Sequence, residues 1–132
     1  MKSIYLLFFA MTFLMVPSGI HRSAATKEIV APPVRQQVHI GWASWYGRGF
    51  FYRRLSSRGR YHPDAIFVAH RSYPFGTRLR ITNLENNKVL IAAVEDRGPY
   101  VPGRSLDLSR RAAELLDTTE RGVVHVSYEV VQ

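Results

Sequence analysis

From residue 38 onward, apolar and polar positions follow a period of two rather than the 3.6 of a helix, in short runs cut by Gly, Pro and Asn. His39–Tyr46 (HIGWASWY) reads as a first strand, ended by Gly47-Arg48-Gly49. Phe50 to Pro63 sets Arg53, Arg54, Arg58 and Arg60 among Ser56, Ser57 and Gly59, which predicts an irregular basic loop. Ala65–Ala69 (AIFVA) is a continuous apolar run of strand length and predicts a short buried strand. Tyr73-Pro74-Phe75-Gly76 is a turn, with the residue before proline held out of the helical region. Arg78–Leu84 alternates, with Leu79, Ile81 and Asn83 on one face and Arg78, Arg80 and Thr82 on the other. Glu85-Asn86-Asn87-Lys88 reads as a hairpin turn because Asn tolerates positive φ. Val89–Glu95 (VLIAAVE) is apolar throughout up to Glu95, which predicts a central strand, and Asp96-Arg97-Gly98-Pro99 breaks it.

The period changes once. Leu106-Asp107-Leu108 leads to Ser109, a natural N-cap, and then to a short helix. Its expected apolar stripe is Ala112, Ala113, Leu115 and Leu116, with Arg110, Arg111 and Glu114 on the wet side. Gly122 precedes Val123–Val131, where Val124, Val126, Tyr128 and Val130 alternate with His125, Ser127 and Glu129 as in a half-buried final strand. Five or six strands and one helix make a small, mainly β domain, and closure into a barrel would remove its exposed edges.

The first 25 residues follow another pattern. Lys2 is followed by the apolar run Ile4–Val16, too short for a membrane span of about 20 residues but suited to the core of a secretory leader. Ser23-Ala24-Ala25 supplies the small residues a signal peptidase reads, so residues 1–25 are expected to be a signal peptide, residues 26–37 with Pro32-Pro33 a linker or arm, and residues 38–132 the domain.

Composition narrows the partners. The chain of 132 residues carries 18 Lys plus Arg against 10 Asp plus Glu, a formal net charge of +8, and no cysteine. Disulfides, thiolate zinc sites, a Cys nucleophile and a lipid-anchoring Cys are excluded. The basic residues are mostly arginines scattered along the chain, without a helix-turn-helix pattern or an aromatic single-strand platform, so nucleic acid is not an expected partner. An exported basic protein meets its polyanions in the bacterial wall or at an anionic membrane surface.

Five ordered blocks then resemble a known family. Gly41-Trp42-Ala43-Ser44-Trp45-Tyr46-Gly47, Phe67-Val68-Ala69-His70 with Pro74-Phe75-Gly76-Thr77, Arg80-Ile81-Thr82-Asn83-Leu84, Asp96-Arg97-Gly98-Pro99-Tyr100, and Gly103-Arg104 with Leu106-Asp107-Leu108-Ser109 are similar to those of rare lipoprotein A-like domains. The resemblance implies a six-stranded double-psi β-barrel with one or two short helices, a fold shared with expansins. It implies peptidoglycan glycan strands as ligand and lytic transglycosylase activity: cleavage of the β-1,4 bond between N-acetylmuramic acid and N-acetylglucosamine, leaving a 1,6-anhydro end. With the leader removed and no Cys for a lipid anchor, the exported protein is expected in the periplasm or outside the cell, associated with the wall, as a monomer without a stable membrane anchor.

The resemblance also assigns residues. Glycosidic cleavage needs a carboxyl group that protonates the leaving oxygen. In a lytic transglycosylase the sugar's own 6-hydroxyl is the nucleophile, so one carboxyl can serve as acid and then as base. The family's catalytic Asp falls on Asp96, and its second site residue on His70, which would hydrogen-bond Asp96 or a sugar hydroxyl. An apolar wall would raise the Asp96 pKa and suit it to acid work; Arg97 would push the other way if its side chain faced the site. Without the resemblance, Asp96 reads as a cap for the turn after it and His70 as a structural histidine. Trp45 and Tyr46 are candidates to stack on sugars, with strand alternation turning one of them inward. Arg58 and Arg60, with Arg53 and Arg54, either meet muramoyl carboxylates or form a solvated basic loop, and Arg97 is a further candidate to bind substrate. Asp107 reads as structural, holding the loop before the helix. No second His or carboxylate stands at metal-ligand spacing, so neither metal nor cofactor is expected.

One departure divides the functional reading. Relatives carry N-G-E-x-[YF] upstream of the A-A-H block, whereas this chain has Ser57-Arg58-Gly59-Arg60-Tyr61, with Gly59 or Arg60 where the partner Glu would stand. Neither transfers a proton at neutral pH. The alternative to a lytic transglycosylase is therefore a non-catalytic, expansin-like polysaccharide-binding module.

Overall fold

The structure, a computed structural model, describes residues 36–132; the expected leader and almost all of the expected arm lie outside the described residues. Six strands form a closed barrel: β1 (His39–Trp45), β2 (Phe67–Ala69), β3 (Arg78–Asn83), β4 (Val89–Asp96), β5 (Arg104–Leu108) and β6 (Val123–Val131), with the helix α1 (Arg110–Leu115) between β5 and β6. Around the barrel the order is β1-β5-β2-β4-β3-β6. The pairs β1–β5 and β2–β4 are parallel, and the other four are antiparallel. This is the closed, mixed-sheet architecture of a double-psi β-barrel.

The barrel interior is filled from alternate positions of each strand. Ala43, Val68, Leu79, Ile81, Val94, Leu106, Leu108, Val124 and Val126 are all at most 1% exposed and share one cluster with Ala112, Ala113 and Leu116 from α1 and its C-cap. Asn83 joins them at an interior position of β3. Its Nδ2 donates to the Leu116 carbonyl at 3.0 Å and its Oδ1 accepts the Glu85 N–H at 2.9 Å, so a buried amide closes both the helix C-terminus and the hairpin turn. Asn87 in that turn has φ of 60°, the left-handed conformation the turn was expected to need.

Three expectations change. β5 is a strand, where the sequence offered only a lead-in to the helix; Leu106 and Leu108 point inward and Asp107 points out between them. β4 is not buried on both faces: Val89 and Ile91 are exposed while Ala92 and Val94 fill the interior, because a closed barrel gives each strand one inner and one outer face. Leu115 is exposed as well, since at 100° per residue it lies about 60° outside the arc from Ala112 to Ala113 that also holds Leu116. The Ser109 cap is as expected: its Oγ accepts from the Ala112 N–H, and also from the Phe67 N–H, both at 3.2 Å, tying α1 to the start of β2.

The segment expected to be irregular has a core of its own. Leu55, Tyr61 and Phe67 are buried together, with Tyr46, Phe51 and Ala65 packed around them. Backbone pairing of Arg54 with Arg60 folds the loop back on itself. Tyr61 Oη accepts the Arg110 N–H at 2.8 Å, and the Ser57 N–H donates to the Glu95 carbonyl at 3.1 Å. The loop is thereby fixed over the end of β4.

Candidate active site

Where β4 ends, the loop, the β1 terminus and β5 enclose an open cleft of about 450 Å3. Ser44, Trp45, Tyr46, Arg53, Arg54, Asp96, Tyr100, Arg104 and Asp107 are among its lining residues. Asp96 is half-buried. Its Oδ2 accepts from the Tyr46 hydroxyl at 2.7 Å and its Oδ1 from the Ser56 N–H at 2.9 Å. Burial pushes its pKa up, but hydrogen bonds from Tyr46, from Ser56 and from the Arg97 N–H outweigh it and hold the carboxyl below the ordinary aspartate value. The apolar wall expected to raise that pKa is overruled by donors.

The second carboxylate of the cleft is Asp107, which the sequence had assigned to a structural position. Ser44 Oγ donates to Asp107 Oδ1 and accepts from Arg104 Nη1 at 3.1 Å. Gly98, at φ of 119°, lies close enough that a Cβ there would sit 3.8 Å from Asp107 Oδ2, so the turn after Asp96 brings the two carboxyl-bearing segments together. The Tyr46 hydroxyl, bonded to Asp96, is subject to both carboxylates: burial first, then the hydrogen bond and charge of Asp96, then the charge of Asp107 drive its pKa far upward. Tyr46 is therefore a fixed hydrogen-bond donor at neutral pH.

The other expected site residues are distributed differently from the sequence reading. Trp45 and Tyr46 are both half-buried and both line the cleft, Trp45 against the barrel core and Tyr46 against the loop cluster. Alternation does not separate them because β1 ends at Trp45. Arg97 lines the cleft but turns its guanidinium away from the Asp96 carboxylate, donating from Nη1 to the carbonyls of His70 at 3.2 Å and Tyr73 at 2.9 Å and stacking 3.9 Å above the Phe75 ring. Arg58 and Arg60 are exposed and absent from the cleft wall; Arg60 Nη1 donates to the Tyr52 carbonyl at 3.3 Å. Gly59, the other position matched to the family Glu, is also outside the cleft.

The largest correction concerns His70. Its backbone N–H donates to the Asp96 carbonyl at 3.2 Å, yet its imidazole makes no bond to the Asp96 side chain. Nδ1 instead accepts from the Ser72 and Tyr73 N–H groups at 3.1 and 3.0 Å, and the ring stacks on Tyr73 with centroids 4.0 Å apart. The ring lines a separate hollow of about 250 Å3 with Arg71, Ser72, Arg104, Ser105 and Tyr128. The physical reason lies in the chain after β2: the turn at Arg71–Tyr73 folds its own N–H groups onto the ring. Burial first, then the charges of Arg97, Arg71 and His39, lower the His70 pKa, so the ring is neutral.

Residues 38–128 match the family model described as "Lytic transglycolase". The chain belongs to this family. Among its relatives, the "Probable endolytic peptidoglycan transglycosylase RlpA" of Synechocystis sp. is 44% identical over 97 residues, covering 74% of this chain and 30% of that protein. The "Endolytic peptidoglycan transglycosylase RlpA" of Campylobacter jejuni is 42% identical over 91 residues, covering 69% of this chain and 33% of that protein. The chain thus spans about a third of the length of these curated relatives. Among solved structures, a point mutant of the Clavibacter michiganensis expansin in complex with cellohexaose aligns with a TM-score of 0.58 at 22% identity, over 73% of this chain and 51% of that one. A Streptomyces papain inhibitor aligns with the same TM-score at 19% identity, over 73% of this chain and 96% of that one. At such identities the structural likeness establishes the barrel fold alone.

In this family member the residues missed by sequence reasoning are Asp107, Ser44 and Ser56. Asp107 had a readable mark: a lone acid between two apolar strand positions must point away from the interior. Ser56 had none, because its contribution is a backbone N–H delivered by loop geometry.

Proposed function

We propose that the protein is a wall-acting lytic transglycosylase that cleaves the β-1,4 bond after N-acetylmuramic acid and closes a 1,6-anhydro ring. The observation that carries this reading is the pair Asp96 and Asp107 facing one open cleft around the Tyr46 hydroxyl. Asp96, held below the ordinary aspartate value, is suited to the base half of the reaction: it takes the proton of the muramoyl 6-hydroxyl as O6 bonds to C1. Asp96 then passes that proton to the departing O4 as the C1–O4 bond breaks, and Asp107, held by the Ser44 hydroxyl, stabilises the positive charge that develops at C1. Water is not consumed, and Asp96 ends the cycle as it began. Arg53, Arg54 and Arg104 along the rim favour an anionic strand over a neutral one. The family and the RlpA relatives support peptidoglycan as substrate, and the apolar run at residues 4–16 supports export to the wall.

A second reading is supported by the departure at Gly59 and Arg60: a polysaccharide-binding module that holds the strand without cutting it. Incubation of the protein with purified sacculi and with stripped glycan strands, followed by mass spectrometry, separates the two. The first reading expects anhydro-sugar ends that disappear in Asp96→Asn and Asp107→Asn. Binding without anhydro products overturns it in favour of the second.

A further inference from the structure

The hollow behind the cleft has a chemistry of its own. Its charged and polar lining consists of donors: the guanidinium groups of Arg71 and Arg104, the His70 ring, and the hydroxyls of Ser72, Ser105 and Tyr128, with no carboxylate among them. Arg71 is held from behind, its Nε donating to the Pro99 carbonyl at 2.8 Å and its Nη2 to the Arg104 carbonyl at 2.6 Å. Arg104 is held by Ser44 at 3.1 Å. Among the described residues neither arginine has an acidic partner, although five other ion pairs form on the surface. Each guanidinium has five N–H groups, so at least three on Arg71 and several on Arg104 remain unassigned. His70 accepts two backbone N–H bonds at Nδ1, which fixes its proton on Nε2 and makes it a further donor.

Position and size complete the case. Arg104 lines both the hollow and the Asp96 cleft, so the two adjoin at that side chain. The hollow, at about 250 Å3, is smaller than the roughly 300–1,000 Å3 of a pocket for a whole ligand, and suits a substituent. Two anchored guanidinium forks fit the two oxygens of a planar carboxylate. Gly41 makes the wall possible: a Cβ there would collide with Ser105 Oγ, so only glycine lets β1 approach β5 at this point.

We propose that this hollow is a carboxylate-binding subsite, which holds an acidic group of the glycan strand whose backbone occupies the Asp96 cleft. The inference rests on the reading of the cleft as a glycan site. In peptidoglycan the carboxylate has two sources: the lactyl ether of muramic acid where the stem peptide has been removed, and the stem peptide itself where it is present.

The test is a calorimetric titration of the protein with four tetrasaccharides: chitotetraose, a GlcNAc–MurNAc repeat with free lactyl carboxylates, the same repeat as its lactyl methylamide, and the repeat bearing stem peptides. The acid is expected to bind about tenfold more tightly than the methylamide, as one charge-assisted hydrogen bond would give. The peptide-bearing arm binding more tightly than the methylamide assigns the stem peptide as a source; the free acid alone doing so assigns the lactyl group. Equal affinity for all three muramoyl ligands overturns the subsite while leaving the glycan cleft standing. Failure of every ligand to bind removes the glycan reading and the subsite with it. Arg71→Gln is expected to bring the acid-to-methylamide ratio close to one, and Arg71→Lys to retain part of it. Should the variants fold poorly, the unaltered protein decides: the His70 Nε2–H resonance shifts with the acid and not with the methylamide, and an unmoved resonance overturns the proposal.

Discussion

The cleft and the hollow meet at Arg104, which lines both, and they divide the chemistry between them. The cleft holds both carboxylates and a tyrosine locked as a donor; the hollow holds only donors and a neutral imidazole. Adjacent residues in the sequence blocks end on different sides. His70 and Asp96 share a backbone hydrogen bond, yet their side chains diverge because Asp96 stands opposite Ala69 and His70 is one position further along the chain. On the proposed readings, proton transfer belongs to the cleft and recognition of a single carboxylate to the hollow. The most damaging test of that division compares substitutions across it. Asp96→Asn and Asp107→Asn are each expected to lower the initial rate of anhydro-product formation on stripped strands by about 10²–10⁴-fold, the usual worth of a positioned acid–base group or of a group that stabilises transition-state charge. His70→Gln is expected to cost about tenfold or less, the worth of one neutral hydrogen bond. A His70→Gln loss as deep as that of either aspartate would erase the distinction.

Tyr46→Phe sharpens the same contrast from within the cleft. The hydroxyl is one of the donors that hold the Asp96 carboxyl below its ordinary value, so its removal lets burial raise that pKa. With Asp96 acting as base, the acid limb of the rate profile moves to higher pH, while the neutral-pH rate changes by about fivefold or less. Lost stability is about 1 kcal/mol, read as a lowered midpoint in urea. An unmoved acid limb would mean that Asp96 is not the base.

Much of this was legible before any coordinates. The strand alternation of β3, and of β6 as far as Tyr128, marked which residues fill the barrel, although Val130, expected on the same face, is exposed where β6 runs past the core; Ser109 marked the helix start, because both rest on local rules of period and capping. The Asp96 position was legible too, as an acid at a strand end before Gly-Pro. What could not be read was direction. Arg97 follows Asp96 in sequence but donates to His70 and Tyr73, and His70 follows an apolar strand but is captured by the N–H groups of its own turn. Side-chain direction at a strand end is set by the turn beyond it. Asp107 was placed before a helix and not on a strand because β5 has only five residues, two of them interior.

On the hollow side, the expected effect is on stability and runs with pH. Burial, Arg97, Arg71 and His39 all lower the His70 pKa in the folded protein below 6.5. As pH falls below 6.5, the unfolded chain takes up a proton that the folded hollow resists, so stability declines on the acid side of 6.5 and is flat with respect to this group above it. His70→Gln removes that part of the slope. Thermal midpoints between pH 5 and 8 measure it, and identical slopes in both proteins would show that the ring is as easily protonated in the fold as in the unfolded chain.

The smallest effects separate arginines that the sequence grouped together. Arg53 and Arg54 line the cleft, Arg53 resting 5.1 Å above the Phe50 ring, whereas Arg58 and Arg60 point away from it on the exposed arm of the same loop. A solvent-screened contact between a rim guanidinium and a strand carboxylate is worth about 0.5–1 kcal/mol. Arg53→Gln and Arg54→Gln are therefore expected to weaken binding of a free-acid muramoyl tetrasaccharide by about two- to fivefold, with most of the loss erased in high salt. Arg58→Gln and Arg60→Gln are expected to change it by less than about twofold, because they act only through the diffuse field of the loop. Calorimetry on all four variants at two salt concentrations resolves the difference. Equal losses at the four positions would mean that the loop acts as one undirected basic surface, and the cleft would then owe its anion preference to net charge and not to the arginines along its wall.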